Sequence, residues 1–94
     1  MKLTISPVNF EIAEKLEKYI EKKTKHLEKQ LAESAEVEIR MTVVKPETNL
    51  NKETKVRVLG NGPEIFAEKV CDTFEQGVDL CIEVVDRQLE KLKK

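Results

Sequence analysis

Tryptophan is missing from this chain, and the other aromatics amount to one tyrosine and three phenylalanines in 94 residues. So few rings leave little surface for stacking bases, which weighs against single-strand recognition by aromatic platforms. Histidine occurs once, at His26. No carboxylate or cysteine at a helical spacing completes a metal set or a base partner for it, and nothing resembles a catalytic triad. No stretch approaches the roughly 18 apolar residues that a membrane span needs. The opening Met1-Lys2-Leu3-Thr4-Ile5 carries no apolar signal core. No membrane partner is expected, and the chain reads as cytoplasmic. The two cysteines, Cys71 and Cys81, fall in one helical pattern, about 15 Å apart along the axis. A disulfide needs Cα atoms within about 7 Å, so reduced thiols are expected. Glycine is scarce as well, and Gly60-Asn61-Gly62-Pro63 holds two of the three. A phosphate-cradling loop joins a strand to a helix. This segment joins two strands, so it reads as a turn.

Net charge is also small. Seventeen basic and eighteen acidic residues leave −1. That excludes a general nucleic-acid coat, which is strongly basic. It leaves room for a local basic face, because local charge steers binding more than the total does. Charged residues nonetheless make up 37% of the chain, so most of the surface must carry them. A chain of this length buries about 60–65% of its unfolded surface, enough for one core. The expected organisation is a single domain over residues 1–94.

Hydrophobic periodicity divides the chain. Leu3 and Ile5 alternate with Lys2 and Thr4 over a short strand, residues 2–6, ended by Ser6-Pro7. Ala13, Leu16, Ile20, Thr24, Leu27 and Leu31 recur at three and four, predicting one helix over 11–31. Val37, Ile39, Met41 and Val43 alternate in a strand over 36–44, and the polar run 45–52 breaks it as a loop. Val56 and Val58 face inward in a third strand, 53–59. Asn61-Gly62 suits a tight hairpin, and Ile65 and Ala67 mark a fourth strand over 64–68. Asp72 with Glu75 has the spacing of a capping box. The helix that follows runs to the end on Phe74, Val78, Cys81, Val85, Leu89 and Leu92. Gly77 inside it points to close packing, since an unforced helical glycine costs about 1 kcal/mol. The order β-α-β-β-β-α predicts an α+β fold in which two helices cover one face of a four-stranded mixed sheet.

Charges on the first helix are sorted. At about 100° per residue, Lys15, Lys18, Lys22, Lys25 and Lys29 fall within about 80° of one another. Glu14, Glu17, Glu21 and Glu28 form a separate stripe between them and the apolar side. Tyr19, Lys23, His26 and Gln30 occupy the other flank. On the second helix, Glu75, Asp79, Glu83, Asp86 and Glu90 make an acidic stripe, and Arg87, Lys91, Lys93 and Lys94 gather at its end. Lysines at helix C-termini offset the macrodipole, so this pattern alone serves either solubility or a phosphate-binding face.

Several segments resemble a known family in order and spacing across the whole chain. These are Met1-Lys2-Leu3-Thr4-Ile5-Ser6, Phe10-Glu11-Ile12, Leu16-Glu17-Lys18-Tyr19-Ile20-Glu21-Lys22-Lys23 and Leu27-Glu28-Lys29. Towards the end come Asn61-Gly62, Glu64-Ile65, Val78-Asp79, Arg87-Gln88-Leu89 and Lys91. The family is that of ribosome hibernation-promoting factors and ribosome-associated inhibitors, also called sigma-54 modulation proteins. The resemblance implies a fold like that of a double-stranded-RNA-binding domain. It implies binding to the small ribosomal subunit near the decoding centre, where mRNA and tRNA sites are occluded in stationary phase or stress. It also implies that basic side chains contact rRNA phosphates. On the first helix the family's basic positions fall on Lys23, His26 and Lys29, with Lys22 beside them. On the second they fall on Val84, Arg87 and Lys91, so one expected cation is a valine. Lys93 and Lys94 would assist. The usual threonine cap of the first helix is Ala13, and the second helix opens on Thr73-Phe74-Glu75-Gln76-Gly77 without the family's tyrosine. The chain resembles the short form, without dimerisation domain or acidic tail, so a helper protein would be a further partner for pairing ribosomes. No cofactor, metal or small-molecule substrate is implied, and no enzyme is expected. The rival expectation is a protein-interaction module of the same fold that uses the acidic face of the second helix.

Overall fold

The computed structural model describes residues 1–44 and 50–92. Seven elements follow one another: β1 (Lys2–Val8), α1 (Glu14–Thr24), α2 (Leu27–Gln30), β2 (Glu36–Val43), β3 (Lys52–Leu59), β4 (Ile65–Cys71) and α3 (Phe74–Leu92). The strands form one sheet in the order β1-β2-β3-β4. β1 runs parallel to β2, and the other two pairings are antiparallel. This is the α+β architecture that the periodicity predicts, with both long helices on one face.

Register explains the core. Leu3, Val37, Val58 and Ile65 stand in one row across the sheet, and Ile5, Ile39, Val56 and Ala67 in the next. The residues of the two inner strands in these rows are essentially inaccessible to solvent. Ile20, Leu27 and Leu31 from the first helical segment close over them, with Phe74, Val78, Cys81, Ile82, Val85 and Leu89 from α3. Each such buried side chain contributes about 1.5–3 kcal/mol. Two positions assigned to the apolar stripes lie outside the core: Ala13 and Leu92 are exposed.

Several boundaries differ from expectation, each for a local reason. The first helix is interrupted at Lys25-His26. Buried Thr24 donates its hydroxyl to the Ile20 carbonyl at 2.9 Å, with the Glu21 carbonyl at 3.3 Å. Such back-bonding bends helices. Glu28 N–H and Lys29 N–H then bond three residues back, to Lys25 and His26, in the tighter 3₁₀ manner. Leu27 and Leu31, beyond the bend, still lie in the core. β1 continues through Pro7 to Val8, because it is an edge strand. Lys2 N–H donates to Ala35 O, so backbone groups of even-numbered residues face β2 and those of Leu3, Ile5 and Pro7 face outward. The missing proline N–H therefore costs no ladder bond.

β3 begins at Lys52, inside the run expected to be loop, and Val44 N–H donates to Asn51 O across the hairpin base. The rest of that loop, 45–49, lies outside the described residues. The β3–β4 connection is longer than a two-residue hairpin. Its positive φ values fall on Gly60 (82°) and Gly62 (95°) rather than on Asn61. Asn61 instead accepts the Ala32 N–H on its side-chain oxygen at 2.8 Å.

β4 extends to Cys71, so the cysteines do not share a helix: Cys71 ends a strand paired with Lys52, and Cys81 lies in α3. Both thiols are free and buried. α3 starts one residue later than expected. Its cap is Thr73, whose hydroxyl accepts the Gln76 N–H at 3.2 Å. The capping-box spacing therefore belongs to Thr73 and Gln76 rather than to Asp72 and Glu75.

Burial pushes the Cys81 thiol up to about 12, with a smaller contribution from the neighbouring Cys71 charge. A protonated, enclosed thiol is a poor nucleophile. Cys81 should therefore resist a thiol-labelling reagent at neutral pH in the folded protein and label fully in denaturant, as mass spectrometry of the labelled peptide would show.

Candidate functional site

α1 and α3 lie side by side, and a groove of about 700 Å³ runs between them. One of its walls carries Tyr19 and Lys23 of α1 and His26 of the turn that follows it, spaced i, i+4, i+7. Its α3 wall carries Asp79, Glu83 and Asp86 with the same spacing. Side chains at these intervals share one helix face, so Tyr19 and Lys23 meet Asp79 and His26 meets Asp86.

The Tyr19 hydroxyl lies 2.7 and 2.8 Å from the two Asp79 carboxylate oxygens and donates to that group. Lys23 Nζ is 3.4 Å from Asp79 Oδ1 and sits 5.6 Å from the Tyr19 ring centre. His26 Nε2 lies 2.9 and 3.1 Å from the Asp86 oxygens. Along α3, Arg87 pairs with Glu83 one turn earlier. No carboxylate stands at a helical spacing from His26, as the sequence shows, yet it has a carboxylate partner across the groove. Asp86 supplies one from sixty residues away, a distance that helical spacing within one element cannot register.

These pairs are partly exposed. Exposed ion pairs contribute about 0.2–1 kcal/mol each. Their main effect is on charge: Lys23, His26 and Arg87 each carry a neighbouring carboxylate. Lys22 lines the same groove, yet it has no ion pair among the described residues. The same holds for Lys29 on α2 and Lys91 in the last turn of α3. The groove thus gathers Lys22, Lys23 and His26, whereas Arg87 does not line it but pairs with Glu83, which does. Lys29 and Lys91 stand beyond it, towards the ends of their helices. Lys93 and Lys94 lie outside the described residues. Val84, at a position where a cation was expected, is partly buried against the core.

Sequence reasoning missed Tyr19, Asp79 and Asp86 as parts of this site. The usable signal is the matched i, i+4, i+7 spacing of unlike residues on the two helices. The acidic stripe of α3, considered above as a partner surface, is largely occupied: Asp79, Glu83 and Asp86 all hold intramolecular cations or donors. Among the described residues no group of three or more His, Cys, Asp or Glu side chains is placed to hold a metal ion. No described helix is long and apolar enough to cross a membrane.

The Asp79 contact leaves a spectroscopic mark. The hydrogen bond to Asp79 chiefly, then burial and the charges of Asp79 and Glu75, push the Tyr19 hydroxyl from 10.0 up to about 12. The folded state holds this proton more tightly than the unfolded chain does. Its contribution to stability is therefore present below about pH 10 and lost as pH rises through about 12. Tyr19 is the one tyrosine in the chain, so ultraviolet titration of the tyrosinate band should give a midpoint near 12, with folding followed in parallel by circular dichroism. Asp79→Asn should return it towards 10.0.

A four-stranded mixed sheet covered on one face by two helices, with cations along the helix layer, defines a small α+β class. The sequence matches the family model for sigma 54 modulation protein / S30EA ribosomal protein over residues 3–94, and the chain belongs to that family. Among solved structures, a ribosomal subunit interface protein from Coxiella burnetii superposes with a TM-score of 0.81 at 22% identity, covering 99% of this chain and 98% of that one. The N-terminal domain of Protein Y from Thermus thermophilus superposes with a TM-score of 0.79 at 15% identity, covering 98% of this chain and 99% of that one. At such identities the likeness is one of fold. No curated protein matches the sequence.

Proposed function

We propose that this chain is a ribosome hibernation factor of the cytoplasm. Residues 1–94 act as one domain that binds the small ribosomal subunit near the decoding centre and blocks translation by occupying mRNA and tRNA space. Family membership supports association with the ribosome. The observation that carries the RNA-binding surface is the packing of α1 against α3, which brings Lys22, Lys23 and His26 to one groove, beside the Glu83 that pairs with Arg87. Lys29 and Lys91 extend this surface, and Lys93 and Lys94, which lie outside the described residues, would add to it.

Such lysines meet phosphates, which position a protein without reading sequence, so the shape of the channel supplies recognition. The mechanism is exclusion and needs no bond chemistry, cofactor or small-molecule substrate. Pairing of ribosomes would fall to a helper protein. Every phosphate contact releases counterions and contributes about −0.7 to −0.9 to the slope of log affinity against log salt. In sucrose gradients the protein should migrate with small subunits at low salt and detach at high salt. Absence from the ribosomal fractions even at low salt would overturn this reading.

A further inference from the structure

A second cleft, of about 570 Å³, lies on the other flank of α1, between that helix and β1. Its floor is Met1, Leu3 and Ile5, which are only partly buried although they turn towards the core side of the sheet. Coverage explains this. α3 packs over β3 and β4, and α1 packs mainly on α3, so β1 lies at the margin of the helix layer. The wall is formed by Glu17, Glu21 and Glu28, none of which has an ion pair among the described residues. Lys25 is the cation among the lining side chains, and the Met1 ammonium is engaged by the Glu33 carbonyl at 3.0 Å.

Among the described residues, the strand beside this cleft is unpaired on its outer side. β1 ends the sheet, and the backbone N–H and C=O groups of Leu3 and Ile5 point away from β2. An open edge of this kind accepts an added strand. At the next outward position Pro7 offers no N–H, which limits the addition to a short stretch. A strand added here sends alternate side chains into the cleft. Long cationic side chains suit it best, because their methylene stems can lie on Leu3 and Ile5 while their charged heads reach the carboxylates above.

We propose that this cleft docks a short, extended, basic segment of a partner protein, with Arg or Lys at alternate positions, added along the outer edge of β1. The groove between α1 and α3 faces RNA phosphates in the reading above. This cleft faces the opposite kind of charge, so one small domain offers separate surfaces to the nucleic acid and to a basic protein.

The test uses the whole chain without ribosomes, so its outcome is separate from that of the hibernation reading. A capped peptide alternating arginine with threonine is titrated into the ¹⁵N-labelled protein. A peptide of equal composition with the arginines in one block serves as the comparison. Saturable binding of the alternating peptide is expected, with amide shifts at Leu3, Ile5, Glu17 and Glu21 and weaker binding of the block peptide. Glu17→Lys/Glu21→Lys should weaken it about tenfold or more, and Glu83→Lys should leave it unchanged. The proposal is overturned by no saturable binding, by equal affinity for the block peptide, by shifts confined to the α1–α3 groove, or by wild-type affinity in the double variant.

Discussion

Lys22→Glu/Lys29→Glu is expected to lower affinity for the small subunit on the order of a hundredfold or more. Hydrogen bonds to charged groups are each worth about 1.5–3 kcal/mol, and reversal replaces attraction to phosphate with repulsion. These two lysines are chosen because neither has an ion pair among the described residues. Their whole charge is available to RNA, and their loss leaves no carboxylate behind without a partner. Lys23→Glu/Arg87→Glu should also weaken binding, with an added cost to the fold, because the new carboxylates would stand beside Asp79 and Glu83. Asp79→Asn/Asp86→Asn should act in the opposite direction: it removes two negative charges from beside Lys23 and His26 and should tighten binding at low salt. Co-sedimentation of the three variants with purified subunits checks all of this. Wild-type affinity in the Lys22/Lys29 variant would remove the helix layer from the RNA interface.

The second large effect concerns stability. A Cβ added at Gly77 would lie 2.5 Å from Thr54 Oγ1 and 3.1 Å from Thr54 Cβ. Thr54 is wholly buried on β3, and its hydroxyl has no hydrogen-bond partner among the described residues. Rotating that short, branched side chain cannot relieve the contact with its own Cβ, so α3 must move off the sheet. Overpacking of this kind costs about 1–3 kcal/mol, against a helix-propensity gain of about 1 kcal/mol for alanine over glycine. Gly77→Ala should therefore destabilise by up to about 2 kcal/mol, and Gly77→Val by about 3 kcal/mol or more. In a Thr54→Ala background the added methyl should cost less by about 1 kcal/mol, a coupling that a double-mutant cycle in urea unfolding would isolate. An unchanged cost in that background would place the obstruction elsewhere.

The close approach at Gly77 is legible in the sequence. A glycine in the middle of an otherwise apolar helical stripe signals a close approach, and the approach is there. The alternation of Val37, Ile39 and Met41, and of Val56 and Val58, likewise predicts which face each strand buries, because side chains on a strand point to opposite sides by geometry alone. Boundaries were less legible. Thr24 is compatible with a continuous helix until burial gives its hydroxyl no acceptor other than the backbone behind it. Cys71 suits a helix or a strand equally well, and pairing with Lys52 decides between them. Pro7 ends a central strand but not an edge strand, and only the sheet order reveals that β1 is an edge.

The sequence by itself determined the element types, the faces they bury, the order that makes β1 and β2 parallel, and the sorting of charge along the first helix. These follow from local periods of two and 3.6 residues, which need no knowledge of distant partners. Tertiary structure alone decided which charges meet between the helices. Tyr19, Lys23 and His26 face Asp79, Glu83 and Asp86 because two helices sixty residues apart pack on one sheet, and Coulomb interactions depend on distances that the chain order does not contain. For the same reason the cations with no carboxylate beside them among the described residues, and the uncovered cleft at β1, became visible only once the helix layer was in place.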